Sequence, residues 1–535
     1  MPICDLSFTL RASSVAPLGS PCEYYDALLA GVATATSRIT LSSLYVGTGE
    51  PETALILSLR ARLLAVPALR VHVHCDLART LRGTPPPAEI LLKLTRGDDG
   101  LPDAALAARV RVGLTLMPQL RQGLGARLPP RFREALGVWH AKAAAFDSDT
   151  VIFSGANLSA DYFTNRQDRY VRIHAFSGGS AGADAGVGEL AQYVHGVIDD
   201  VASLRGSHYL TASGAVNVVG GESLESRSVP APATDTTVHY TPLDSSSPLH
   251  AQFSNDLRAV LEKWSFQGAP GVAGALKNAG SAVATDTVGG SGEDFVIVRP
   301  RWQCGALGVR YDERALVSVL GAADSVHVAT GYFNMPPALQ SAMLAAARRA
   351  AVHVLTAAPT ANGFFGARGV AGAIPLAYAE LLRDYYEAAR RAGVLSADPE
   401  GSPYAPGAGV FEWARKGWTF HGKGVWAWDA QSGAITTFAG SPNYGRRGVM
   451  RDIELAVEFT TRSSALVRAF SEERDALWSR RDATAVGAHL TRSHGSQRDV
   501  WSVIAHPDRA LRWWPHTWAR GVWIRPFSRI LARFF

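Results

Sequence analysis

Apolar positions along the chain fall into alternating helical and extended runs, and two stretches repeat the same order. In the first, YYDALLAGVATATSR (24–38) has helical spacing. RITLSSLYVG (38–47) is an apolar run of strand length, ALILSLRARLLA (54–65) is helical, and LRVHVHCD (69–76) alternates as a strand. In the second, RALVSVLGAADS (314–325) predicts a helix and SVHVATGYFN (325–334) a strand. ALQSAMLAAARRA (338–350) then predicts a helix and AVHVLTAAP (351–359) a strand. This alternation predicts an α/β fold with mixed or parallel sheets flanked by helices. The duplicated order predicts two pseudo-symmetric half-domains.

Breaks in the pattern set the expected boundaries. Residues 1–20 form an N-terminal segment, a weak match to a targeting sequence. The half-domains are expected at 21–205 and 294–485. Between them, 206–293 is rich in Gly, Ser, Thr, Asp and Ala and reads as a linker with loops, interrupted by one helix, LHAQFSNDLRAVLEKWS (249–265). The final stretch, 486–535, interleaves Trp513, Trp514, Trp518, Trp523 and Phe527 with Arg512, Arg520, Arg525 and Arg529. That mixture predicts a segment lying at an anionic membrane surface, rings at headgroup depth and Arg toward lipid. No apolar run approaches the ~18 residues of a membrane-spanning helix.

Composition adds little that the pattern lacks. The 535 residues carry 53 basic and 47 acidic side chains, a net +6 that suits an anionic substrate or surface. Four Cys form no compact framework and read as reduced thiols.

The scarce lysines mark the chemistry. Only six occur, and two of them lie two residues after a His: Lys142 after His140, and Lys423 after His421, 281 residues further on. Each pair opens a stretch ending in a Ser/Gly turn and an Asn, Asn157 and then Asn443. Read as strand segments, the His and Lys of each pair face the same side. Two imidazoles and two ammonium groups suit attack on a phosphodiester or diphosphate. One His attacks phosphorus and the other protonates the leaving oxygen. The lysines and asparagine amides then hold the non-bridging oxygens. This set needs no metal and no cofactor, and no His/Asp/Glu spacing asks for one.

A carboxylate follows each Asn by 11 residues: Asp168 and Glu454. Each is expected to hold an imidazole through Nδ1, against the plainer reading as partners of Arg169 and Arg451. Asp147 follows His140 by seven, where the second copy has Trp428, so it reads as a structural salt-bridge acid. His72, His74, His250, His327 and His353 lack a Lys at i+2 and read as core or surface residues.

These residues resemble the phospholipase D superfamily, whose signature is H-x-K-x4-D followed by a Gly/Ser turn and Asn. A narrower resemblance, over roughly residues 20–480, is to the eukaryotic CDP-diacylglycerol–glycerol-3-phosphate 3-phosphatidyltransferases. It rests on SLYVGTG (43–49), PQLRQGLGARLPPRF (118–132), SGANLSADYFTNRQDRY (154–170), GYFN (331–334), NGFFGARGVAGAIP (362–375), GWTFHGKGVW (417–426) and GSPNYGRRGVMRDIELAVEF (440–459). The resemblance implies one active site between the halves, with Glu454 holding His140 and Asp168 holding His421. It implies phosphatidyl transfer from CDP-diacylglycerol to glycerol 3-phosphate through a phosphatidyl-histidine on His140. It also implies a protein peripheral on the mitochondrial inner membrane, with no nucleic-acid partner. Arg166, Arg169, Arg446 and Arg447 are candidate substrate cations, with ion pairing as the alternative. Asn362 and Gly363 are candidates for headgroup or nucleotide contact, a plain turn being the alternative. A hydrolase, a phosphatidylserine synthase and a non-enzymatic lipid-binding scaffold remain alternatives.

Overall fold

A computed structural model describes residues 5–121, 134–175, 185–220, 238–240, 247–266, 295–396, 405–479 and 483–485. Two large sheets organise it, one per half. In the first, Val110–Thr115, Arg70–Asp76 and Arg38–Ser42 run parallel. Next come the antiparallel hairpin Ala143–Phe146/Thr150–Ser154 and the return strand Tyr170–His174. The second repeats this order. Gly407–Trp413, Ala351–Ala357 and Ser325–Thr330 are parallel, followed by Gly424–Asp429/Ala434–Gly440 and Glu454–Thr461. Parallel strands buried on both faces read as continuous apolar runs, and Ala351–Ala357 and Ser325–Thr330 are buried throughout.

Local chemistry sets the helix ends. Ser20 caps Pro21–Thr34: its Oγ accepts from Glu23 N at 3.2 Å, and the Glu23 carboxylate returns to Gly19 N at 3.1 Å. Pro21 supplies the preset first turn. The helix predicted in the linker is present as Leu249–Lys263, burying Phe253, Leu257 and Leu261.

Three expectations change. RITLSSLYVG is a strand only over Arg38–Ser42; Ser43 N then turns to His74 O and Val46 bridges Leu158. Residues 5–20 are built into both halves. Phe8–Arg11 pairs with Phe295–Val298 of the second sheet, and Val15–Leu18 with Tyr170–Ile173 of the first. The linker contributes His208–Leu210, Ala215–Val218 and His239–Tyr240 to the first sheet. The C-terminal stretch expected at the membrane, 486–535, and most of PQLRQGLGARLPPRF lie outside the described residues.

One apolar cluster joins the halves: Ala143, Phe153 and Val171 share it with Ala329, Ala439 and Leu455. Short parallel contacts complete the junction. Trp139 bridges Ile453, while Thr419–Phe420 pairs with Arg166–Gln167. These two contacts are pseudo-symmetric equivalents, and each lies immediately before a motif His.

Candidate active site

Neither His-x-Lys segment is itself a strand. Each sits just before one: His140–Lys142 before Ala143–Phe146, and His421–Lys423 before Gly424–Asp429. The cross-half contacts fix them instead. His140 N donates to Ile453 O at 2.9 Å, and His421 N donates to Gln167 O at 2.8 Å. Each acceptor is the residue before a motif acid. The acids therefore meet the imidazoles of the opposite half: His140 Nδ1 lies 2.7 Å from Glu454 Oε2, and His421 Nδ1 lies 2.6 Å from Asp168 Oδ2. Both imidazoles and both acids are buried.

The lysines differ. Lys423 Nζ donates to Asp168 Oδ2 at 3.0 Å, Gly155 O at 3.0 Å and His421 O at 3.1 Å. Nζ also lies 2.5 Å from His421 Nδ1, so four neighbours share its three protons; Asp168, held as an anion 2.6 Å from Nδ1, is the acceptor for the imidazole proton. Lys142 Nζ donates to His140 O at 2.9 Å. Gly155 is required here, since a Cβ there would lie 2.3 Å from Asp168 Oδ1 and 2.7 Å from Lys423 Nζ.

Comparisons with known proteins bear on the family and the fold. No protein-family model matches the chain. Among curated relatives, the mitochondrial CDP-diacylglycerol–glycerol-3-phosphate 3-phosphatidyltransferase of Mus musculus is 31% identical over 94% of this chain and 83% of its own length. The Homo sapiens protein of that name gives the same values. The chain belongs to this phosphatidyltransferase family. The Schizosaccharomyces pombe member is 28% identical over 87% of this chain and 89% of its own. In fold the chain matches the crystal structure of phosphatidylserine synthase from Haemophilus influenzae Rd KW20, with TM-score 0.67, 18% identity, 100% of this chain and 98% of that one covered.

Burial sets the electrostatics of this phosphatidyltransferase. It drives both imidazoles well below their ordinary range, helped by Lys142 at His140 and by Lys423 at His421. Burial also lowers the Lys142 ammonium to about 7 and raises the Glu454 carboxyl to about 7. Asp168 behaves differently. Burial pushes its carboxyl up, but Lys423 and His421 outweigh burial and hold it below the usual carboxylate range. One imidazole thus rests on a firm anion and the other on an acid balanced near neutrality. Among the described residues, no group of three or more His, Cys, Asp or Glu is placed to hold a metal ion.

Asn157 Nδ2 donates to Tyr162 Oη at 3.3 Å, and Asn443 Oδ1 is buried without a hydrogen-bond partner. The four arginines separate. Arg169 is taken by the fold: Nε and Nη2 reach Glu473 at 2.7 Å each, beneath the Trp426 ring. Arg447 pairs with Asp452, which also accepts from Val138 N at 3.0 Å. Arg166 sits beside the site, its Nη1 2.8 Å from Asp161 Oδ2 and its guanidinium over Tyr162. Arg446 keeps a buried Nε without a partner. Asn362 closes its own turn, accepting from Phe364 N at 3.0 Å. Gly363 packs where a Cβ would stand 3.1 Å from Arg166 Nη2.

Asp147 is structural, but not through a salt bridge. At φ 48 it accepts from the backbone N–H groups of Thr36, Ser37 and Arg38 and from both hydroxyls. Burial opposes its ionisation, yet those donors hold its carboxyl at about 2.

Three participants escaped the sequence reading. Ser441 Oγ donates to Glu454 Oε2. Tyr162 Oη meets His421 Nε2 at 3.3 Å, and Tyr332 presents its ring edge-to-face to the same imidazole. Only the motif SGAN-x4-Y brings Tyr162 close to notice, and its partner lies 259 residues away.

Proposed function

We propose that the chain transfers the phosphatidyl group of CDP-diacylglycerol to the C1 hydroxyl of sn-glycerol 3-phosphate. CMP and phosphatidylglycerophosphate are the products. The observation that carries this reading is the crossed pairing of each imidazole with the other half's carboxylate. It supplies two oriented imidazoles in one buried site, in a family whose members are named for this transfer.

In the first step His140 Nε2 attacks the phosphorus bearing diacylglycerol, and the bond from that phosphorus to the CMP oxygen breaks. His421, protonated at Nε2 and supported by Asp168, gives its proton to the departing CMP. In the second step His421 takes the proton of the acceptor C1 hydroxyl. The new oxygen bonds to phosphorus, and the P–N bond to His140 breaks. Lys142 holds a non-bridging oxygen, together with the Asn443 amide. Lys423 instead fixes Asp168 and the His421 loop, because its donors are occupied. Arg166 and Arg446 are the cations for the acceptor phosphate: Arg169 and Arg447 are held by the buried acids Glu473 and Asp452, whereas the partner of Arg166, Asp161, is partly exposed.

The same reading makes the protein peripheral on the mitochondrial inner membrane. The Mus musculus and Homo sapiens relatives are named mitochondrial, and among the described residues no helix is long and apolar enough to cross a membrane. Residues 486–535 supply the Trp- and Arg-rich surface contact.

The test is a labelled CDP-diacylglycerol trap with acceptor comparison. Label on His140, and CMP release that depends on glycerol 3-phosphate, support the reading. Label on His421 reverses the two roles. Preference for serine, or release with water alone, replaces the proposed reaction.

A further inference from the structure

We infer that Tyr162 is the positioning residue that makes the two half-sites unequal, by occupying the Nε2 lone pair of His421 and so reserving that imidazole for proton transfer. This rests on the reaction proposed above and says why the pseudo-symmetric histidines take different roles in it.

The hydrogen-bond directions decide the point. Asn157 Nδ2 donates to Tyr162 Oη at 3.3 Å, so the phenol uses an acceptor position there. With the His421 proton on Nδ1, facing Asp168, the Tyr162 proton goes to Nε2, also at 3.3 Å. His421 Nδ1–H is committed to Asp168. A directed chain results: Asn157 to Tyr162 to His421 to Asp168. Burial holds the phenol well above its usual range, so it stays protonated and remains a donor. In the neutral imidazole the engaged lone pair is a weaker nucleophile; in the imidazolium that serves CMP departure the bond reverses and the phenol accepts from Nε2–H. Oη stands where an oxygen of the leaving group or acceptor must arrive, so substrate displaces it.

The other half has no such group. Its short helix starts at the same offset: Ala160–Thr164 begins three residues after Asn157, and Arg446–Met450 begins three after Asn443. Five residues after each Asn stand Tyr162 and Gly448. The glycine makes room for the longer acid, since a Cβ there would lie 3.1 Å from Glu454 Oε1. His140 Nε2 has no hydrogen bond from the described residues and stays available to attack. The substitution of Tyr by Gly at equivalent positions thus divides the roles.

The charged and titratable groups facing His421 are Asp168, Lys423, Arg166, Tyr162 and Tyr332. A donor on the neutral imidazole's lone pair favours the neutral form. Tyr162→Phe removes only the hydroxyl. It is expected to move the acidic limb of kcat/KM for glycerol 3-phosphate upward by about one pH unit, the size of one hydrogen bond. The acceptor's own ionisation cancels in the comparison with wild type. Incorporating a fluorotyrosine at 162 strengthens the donor and should move the limb downward, which covers the case of a poorly folded Phe variant. Opposite shifts in the two variants support the inference. Unmoved limbs, with the label still on His140, overturn it and leave the reaction standing. Label on His421 in the wild type overturns the reaction itself.

Discussion

Replacing Asp168 by Asn isolates the contribution of one buried charge. The carboxylate accepts from His421 Nδ1 at 2.6 Å, from Lys423 Nζ at 3.0 Å and from Arg169 N at 2.8 Å. Two unit charges about 3 Å apart interact by about 5 kcal/mol at an effective dielectric of ~20. That attraction is what lets His421 carry a proton in a site whose burial favours neutrality. The amide keeps the volume, but it presents one acceptor where imidazole and ammonium both need one. Breaking a buried pair costs about 3–5 kcal/mol, so a fall in kcat of about a thousandfold is expected at 1.4 kcal/mol per tenfold. Both half-reactions pass through His421, so two assays should agree. One is exchange of labelled CMP into CDP-diacylglycerol without acceptor; the other is CMP release with glycerol 3-phosphate. Melting temperature controls for misfolding. Activity within tenfold of wild type in both assays, on a folded protein, would refute the idea that Asp168 supports the His421 imidazolium.

Three further outcomes follow from other contacts. Glu454 has its carboxyl raised to about 7, so the folded state holds its proton where the unfolded chain has lost it, and stability from this group falls as pH rises from about 4.5 through 7. Glu454→Gln should therefore abolish transfer while leaving the melting temperature at pH 8 unchanged or higher; a lower melting temperature contradicts the sign. Asp147→Ala removes five hydrogen bonds at a left-handed residue and should destabilise by about 2 kcal/mol with turnover intact at low temperature, checked by thermal unfolding and CMP release. Arg166→Ala should raise KM for glycerol 3-phosphate, whereas Arg169→Met should lower thermal stability and spare KM; steady-state kinetics separate the two.

The sequence made the repeated alternation legible because strands and helices are set by local spacing. The His-x-Lys pairs, asparagines and later acids stood out through rare residues at a matched offset. What it hid was long-range. Arg169 and Glu473 are 304 residues apart, and nothing local marks Arg169 as a buried ion-pair partner rather than a substrate cation. Asp147 looked like a salt-bridge acid because its partners are backbone N–H groups, which no side-chain pattern advertises. Phe8–Arg11 alternates apolar and polar as a strand does, but its partner, Phe295–Val298, lies far along the chain, so its place in the second sheet had no local mark.

That edge strand has a consequence for how the molecule assembles. Phe8 pairs with Val298, and seven residues later Val15 pairs with Ile173, so one short ribbon is stitched into both sheets. During synthesis the opening ribbon must wait for the middle of the chain to emerge before its first strand is seated. Closure over so long a loop is slow. The ribbon then acts as a clasp, and unpicking it exposes an unpaired edge at Phe295–Val298 and loosens the seam on which both imidazoles depend.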